Sequence, residues 1–265
     1  MITLNKNRDI TRNLFNNWDE TPIWSCLEGT MGHICVDKIP NPKTAIAVIS
    51  CLSFLAGVPN LEILEKHKND ETRKEVILIP QNEEWAKLVE KCYSKNVIRY
   101  QRFATHKDTQ FDKDKLRKIV SSLSPSFCLR RIDETIFQQC LFEKWSEDLV
   151  GNFSDYSEFK SHGVGYVILK TSHSTNLELA EREVIISGCS TFTYYNKGIE
   201  IEVDTNINYR QQGLATVCSA RTILECLDLG MYPSWDADNV VSLKVAEKLG
   251  YHFSHPYTAF KYTIQ

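Results

Sequence analysis

The sequence has no C-x-x-C pair, no H-x-x-x-H spacing and no apolar run that would span a bilayer. Each absence removes a class of function. The nine cysteines (Cys26, Cys35, Cys51, Cys92, Cys128, Cys140, Cys189, Cys218 and Cys226) are scattered and odd in number. They suit neither a structural zinc site nor a disulfide framework. Most stand among apolar residues, where a free thiol behaves as a small hydrophobe. Cys218 and Cys226, spaced to share a helix face, are read as packing. Without paired histidines among the seven, no metal is expected. The longest apolar stretch, 44–58, is broken by Ser50, Ser53 and Gly57 and falls short of the roughly 20 residues a membrane helix needs. Residues 1–6 carry no apolar signal core, so no secretion and a reducing cytoplasm are the expectation. A net charge of -3 without a basic stripe gives no reason to expect a nucleic-acid partner.

What is present is an ordinary globular composition. The 265 residues are 42% hydrophobic and 25% charged, enough for one large domain or two modest ones. In the first half, a helical stretch with Ile10, Leu14 and Trp18 on one face precedes strand 32–37. Continuous apolar strand material follows over 44–55, as one bent strand or two. A helix over 61–68 leads to the buried run Val76-Ile77-Leu78-Ile79, and Gln81 or Asn82 caps the helix that carries Trp85, Leu88, Val89 and Cys92. An alternating strand over 97–105 and a helix over 112–123 complete this half. Ser124-Pro125-Ser126 is the candidate boundary, giving domains 1–125 and 126–265. The second half predicts strands over 127–132 and 163–169, then a polar loop 172–178, then strands over 183–186 and 189–194. It ends in strand–helix alternation after residue 198, so the sheet is mixed α/β with a parallel part. The order Val76–Pro80, helix, 97–105 is echoed by Tyr232–Trp235, helix, 258–263. The first half is therefore either a separate small α/β domain or a copy of the second without its site.

The informative stretch is 199–251. Strand Gly198-Ile199-Glu200-Ile201-Glu202-Val203-Asp204 leads through a polar loop to Arg210-Gln211-Gln212-Gly213-Leu214-Ala215, which opens a helix. A helix start leaves backbone N–H groups unpaired and carries partial positive charge, so it favours an anion. Gly213 lets a phosphate approach, Arg210, Gln211 and Gln212 can reach its oxygens, and Ala215 keeps the next turn slim. Those residues alone equally fit an ordinary helix start with a polar lead-in.

The wider pattern resembles the GNAT superfamily of N-acetyltransferases. Arg210, Gly213 and Ala215 fall on its Q/R-x-x-G-x-G/A loop. Asn239, Ser242 and Lys248-Leu249-Gly250-Tyr251 fall on its following helix. Together with Gly29–Pro42, Trp145-Ser146-Glu147-Asp148 and Tyr232-Pro233-Ser234-Trp235-Asp236-Ala237, the chain looks like the two-domain branch that includes zwittermicin-A-resistance-like proteins. The resemblance implies a C-terminal GNAT acyl-CoA-binding fold after a smaller α/β domain, with lid or interaction roles open for the latter. It implies acetyl-CoA as donor, its pyrophosphate on the loop (Arg210, Gln211, Gln212, Gly213, Leu214, Ala215). The pantetheine would lie along the strand at Val203 and Thr205, and Asn239 and Ser242 would stand beside it. It implies a small-molecule amine as acceptor.

Acetyl transfer to an amine needs a base and a polarised thioester. Alternation sends Glu200, Glu202 and Asp204 to one face of a strand that should be apolar throughout. Glu202 is the first candidate base and Glu200 the second, against the alternative of a solvated or salt-bridged face. Trp235 is read as an acceptor wall or as core. Asp236 is read as a contact for a cationic amine, and Asp238 as a helix cap. Many superfamily members carry a proton-donating Tyr where this sequence has Ala246. A non-catalytic acyl-CoA sensor is therefore the competing reading. Cys189 is read as packing rather than as a nucleophile.

Overall fold

The computed structural model describes residues 1–4, 8–69, 73, 75–172 and 182–263. Residues 173–178 of the expected polar loop lie outside that set. In chain order the elements are β1 (Ile2–Leu4), α1 (Thr21–Glu28), β2 (His33–Val36), β3 (Thr44–Ile49), β4 (Leu52–Gly57), α2 (Leu61–Asn69), β5 (Glu75–Pro80), α3 (Glu83–Tyr93) and β6 (Val97–Thr105). Then come α4 (Lys113–Ser121), β7 (Cys128–Arg131), α5 (Glu134–Phe142), α6 (Tyr156–His162), β8 (Tyr166–Ser172), β9 (Arg182–Tyr195) and β10 (Gly198–Thr205). The chain closes with α7 (Leu214–Asp228), β11 (Tyr232–Ser234), β12 (Asp236–Ala237), α8 (Val240–Leu249) and β13 (Phe253–Thr263).

Two compact units form, and neither is a single stretch. The first holds Met1–Ala104, Asp236–Asn239 and Ser254–Gln265; the second holds Thr105–Trp235 and Val240–Phe253. These units do not follow a cut at 125/126. Ser124-Pro125-Ser126 is an internal turn of the second unit, because α4 before it lies along α7. Leu116 is buried there, and Lys113 Nζ stands 2.8 Å from Asp228 Oδ1.

In the first unit the apolar run 44–55 is two strands. Ser50, at φ 50°, makes the tight turn between them. The sheet order is β1-β2-β3-β4-β5-β13-β6-β12, with β4 parallel to β5. Asn82 is the cap of α3, its Oδ1 accepting Trp85 N–H at 3.0 Å. Ile46, Leu55, Leu64, Leu78, Trp85 and Phe260 form the core of this unit. Burying each such side chain contributes about 1.5–3 kcal/mol.

The second unit has the order β11-β10-β9-β8-β7, with β10 parallel to β11 and the other neighbours antiparallel. The two expected strands over 183–194 are one long strand, β9. One face is covered by α5 and α6 through Ile132, Phe137, Phe159 and Val167. A common order thus occurs twice: a strand, one or two helices, three further strands antiparallel in succession, a helix, and a fifth strand parallel to the fourth; a helix and a strand then follow in each case, β6 and β13, which lie side by side in the first unit's sheet. The sequence echo is the tail of that repeat, with β5–α3–β6 matched by β11–α8–β13.

Candidate functional site

In the second unit β10 and β11 are paired only over Gly198–Glu200 and Tyr232–Ser234. Beyond Ser234 the next strand residues, Asp236 and Ala237, pair instead with Ala104 and Phe103 of β6. Residues 201–205 of β10 therefore keep β9 on one side and, among the described residues, no strand on the other. Two of the amides there bond to the carboxylate of the residue just before them. Val203 N–H donates to Glu202 Oε1 at 3.1 Å, and Thr205 N–H to Asp204 Oδ1 at 2.6 Å. An open strand edge of this kind accepts an extended chain that carries its own amides. The Thr205 hydroxyl is hydrogen-bonded to Ser187 Oγ at 2.7 Å.

The strand runs into the loop. Asn206 Oδ1 accepts Asn208 N–H at 3.1 Å and fixes a 3-10 turn over Ile207–Tyr209. Gln211 and Gly213 are both left-handed, at φ 63° and 78°. A side chain at Gly213 would meet nothing within 4 Å, so the space above it is open. Gly213 precedes α7 without a side-chain cap, and the helix's first bond is Val217 N–H to Gly213 O at 3.2 Å. The amides of Leu214, Ala215 and Thr216 are thus left to solvent or a ligand. By contrast, side-chain oxygens of Asn82, Asp112, Asp133 and Asp155 cap α3, α4, α5 and α6. Arg210 is drawn back toward the strand, its Nε donating to Thr205 O at 3.1 Å and its Nη2 lying 3.6 Å from Asp204 Oδ1. Burial raises the Asp204 carboxyl above the ordinary aspartate value.

A strand that parts from its parallel neighbour and runs into an uncapped helix offers a groove for an amide chain and a seat for phosphate. The sequence match carries the assignment further. A GNAT acetyltransferase family model matches residues 12–260.

The chain belongs to the GNAT acetyltransferase family.

It is 44% identical to a GCN5-related N-acetyltransferase-like protein from Streptococcus suis, over 96% of this chain and 98% of that one, with a TM-score of 0.88. A Bacillus subtilis protein described as an uncharacterized N-acetyltransferase is 29% identical over 146 residues. That match covers 52% of this chain and only 49% of the relative. A putative GNAT acetyltransferase from Novosphingobium aromaticivorans shares the fold, with a TM-score of 0.52 at 14% identity over 92% of this chain and 97% of that one.

Within this GNAT fold the expected site residues separate into two groups. Glu202, Val203, Thr205, Arg210, Gln211, Gln212, Gly213, Leu214 and Ala215 lie along one continuous path from the open edge to the helix start. Glu200 stands where β10 and β11 part, opposite Thr193 on one side and Ser234 on the other. The pairing with β9 shifts register between Glu200 and Ile201, which interrupts the alternation expected to put three carboxylates on one face. Glu200 is accordingly buried, while Glu202 and Asp204 are half-buried. Thr193 and Ser234, with buried hydroxyls that find no hydrogen-bond partner among the described residues, went unnoticed in the sequence. Only the cross-strand register brings them to Glu200.

The two residues read as acceptor contacts are not on an open surface. Trp235 is core, 3% exposed, packed on Tyr251 at 5.6 Å between ring centroids, with its indole N–H donating to Ser242 Oγ at 3.1 Å. Asp236 belongs to the first unit, where its Oδ2 accepts from Arg102 Nε at 3.1 Å and from the Tyr257 hydroxyl. Asp238 takes Arg102 Nη1 at 2.5 Å and the Tyr100 hydroxyl at 3.0 Å. Asn239 is exposed just before α8. Ala246 is fully buried, and the nearby Tyr251 hydroxyl donates to Pro233 O inside the core. Burial pushes the Cys189 thiol up to about 12, which agrees with packing rather than nucleophilic chemistry. Among the described residues no group of three His, Cys, Asp or Glu side chains is arranged to hold a metal, and no helix is long and apolar enough to cross a membrane.

Proposed function

We propose that this protein transfers the acetyl group of acetyl-CoA to the amine of a small molecule, and that the second unit holds the donor. The observation that carries this reading is the open edge of β10, with the Val203 and Thr205 amides bonded to neighbouring carboxylates, leading directly to the uncapped start of α7. Val203 and Thr205 take up the amide chain of the donor in place of a strand. Gln211, Gln212, Gly213, Leu214 and Ala215 surround its diphosphate, and Arg210 adds positive charge. The sequence resemblance supports Asn239 and Ser242 as further donor contacts. Bound there, acetyl-CoA supplies an activated acyl group.

Glu202 removes the proton that makes the acceptor amine nucleophilic, directly or through a water, with Glu200 as the second candidate. Half-burial supports the choice of Glu202, because its carboxylate keeps a path to solvent. The likeness to zwittermicin-A-resistance-like proteins, read from the sequence, supports an amino compound such as an antibiotic as acceptor. Nine cysteines, all free, support a reducing cytoplasmic setting. The first unit repeats the fold and serves as an interaction or closing domain.

Calorimetric titration with acetyl-CoA, followed by thiol release in the presence of an amine panel, tests the reading. Micromolar binding with amine-dependent release is expected; no binding would overturn it. Ala246 favours a second reading, a sensor that holds acyl-CoA without turnover. Tight binding without thiol release from any amine would select it.

A further inference from the structure

Lys170 and Tyr209 form a cation–aromatic pair at the end of the second unit's sheet where the loop lies. Lys170 Nζ stands 5.2 Å from the centroid of the Tyr209 ring. β8 and β10 run in the same direction, because each is antiparallel to β9. The C-terminal end of β8, which carries Lys170, is therefore at the same end of the sheet as the loop after β10. Tyr209 closes the 3-10 turn immediately before Arg210, and its N–H donates to Asn206 O at 2.8 Å, which fixes the base of the ring. Lys170 is exposed, and among the described residues no ion pair joins it to a carboxylate. Arg210, in contrast, already shares its charge with Thr205 O and Asp204. An exposed ammonium over a half-buried aromatic ring suits a phosphate monoester beside a flat heteroaromatic base.

We propose that Lys170 binds the 3′-phosphate of the coenzyme and that Tyr209 supports its adenine, so that the protein distinguishes coenzyme A from its 3′-dephospho form. This rests on the donor assignment above. The experiment is a calorimetric titration of coenzyme A and 3′-dephospho-coenzyme A into the wild type, Lys170→Gln and Lys170→Arg. The wild type is expected to bind coenzyme A about tenfold more tightly than the dephospho form, in keeping with one charge-assisted contact. Lys170→Gln should lose that preference while binding the dephospho form as the wild type does, which also shows that the site is folded. Lys170→Arg should keep it. Equal binding of the two forms by the wild type, or a preference that survives in Lys170→Gln, would overturn the proposal and leave the donor assignment standing. If the wild type binds neither form, the donor assignment falls, and this proposal with it.

Discussion

In the first unit β4 stays hydrogen-bonded to β5 from Leu52↔Ile77 to Leu55↔Pro80, and Gln81 extends the seam. Its N–H donates to Leu55 O at 3.0 Å, and its Oε1 accepts Gly57 N–H at 2.9 Å. The connection to α2 is only residues 58–60, and Asn60 Oδ1 accepts Ile63 N–H at 3.2 Å. A side chain on Gly57 would run into the Lys43 carbonyl. In the second unit the same step in the fold has strands that part after three residue pairs, a longer loop over 206–213, an uncapped helix and open space above Gly213. One topology thus serves two ends. Where the seam is closed and the cap is present, the step is structural; where both are missing, the amides are available to a ligand.

The largest expected effect breaks the closed unit. Phe260, fully buried on β13 between β5 and β6, joins the core of a unit whose other residues lie mostly before position 105. Phe260→Ala should lower stability by about 3–5 kcal/mol. Chemical denaturation should show this as an earlier midpoint, and a midpoint at the wild-type value would deny β13 a structural role. For the same reason, a chain ending before residue 254 should fail to fold its first unit, as read by loss of cooperative unfolding.

Next come the two helix starts. Arg210→Glu places like charge against the diphosphate and should weaken acetyl-CoA binding at least about a hundredfold with little change in stability. Gly213→Ala costs about 1–2 kcal/mol for the left-handed backbone and places a methyl group in the open space, so affinity should fall as well. The matching change in the first unit, Asn60→Ala, should cost about 0.5–2 kcal/mol of stability and leave acetyl-CoA affinity unchanged. Calorimetry on the three variants separates these outcomes; a loss of affinity in Asn60→Ala would blur the distinction between the units.

Glu202→Gln should leave acetyl-CoA affinity close to wild type while lowering amine-dependent thiol release by about a hundredfold or more. An equal fall in binding and turnover would make Glu202 a structural carboxylate. The smallest effect concerns Asp204. Its folded pKa is raised by burial, so the folded state holds this proton more tightly than the unfolded chain does. The ionised side chain therefore counts against stability at neutral pH. That penalty disappears as pH falls through the raised pKa toward the ordinary aspartate range. Asp204→Asn should be neutral or slightly stabilising at pH 7, with the advantage vanishing near pH 4. Thermal unfolding across that range checks the sign.

The strand end and helix start proposed to hold the donor were legible in the sequence because they are local. Arg210 to Ala215 are consecutive, and a helix start advertises itself through Gly213 and the polar residues before it. The rest depends on pairing between distant segments. Glu200 meets Thr193 and Ser234 only once β9, β10 and β11 are in register, and a shift in that register undid the simple alternation. Trp235 and Asp236 are neighbours in sequence but fall in different units, one in a core and the other on Arg102. The Ser124-Pro125-Ser126 turn looked like a boundary because turn chemistry is visible locally, whereas the packing of α4 on α7 is not. The repeat was visible only in outline, since two strand–helix–strand tails can match in pattern with little identity.

The most direct test is amide hydrogen exchange with and without acetyl-CoA. Slowed exchange is expected at Val203, Thr205 and the first-turn amides Leu214, Ala215 and Thr216, with residues 55–64 of the first unit unchanged. Protection at 55–64, or none at 203–216 under saturating acetyl-CoA, would contradict the donor assignment.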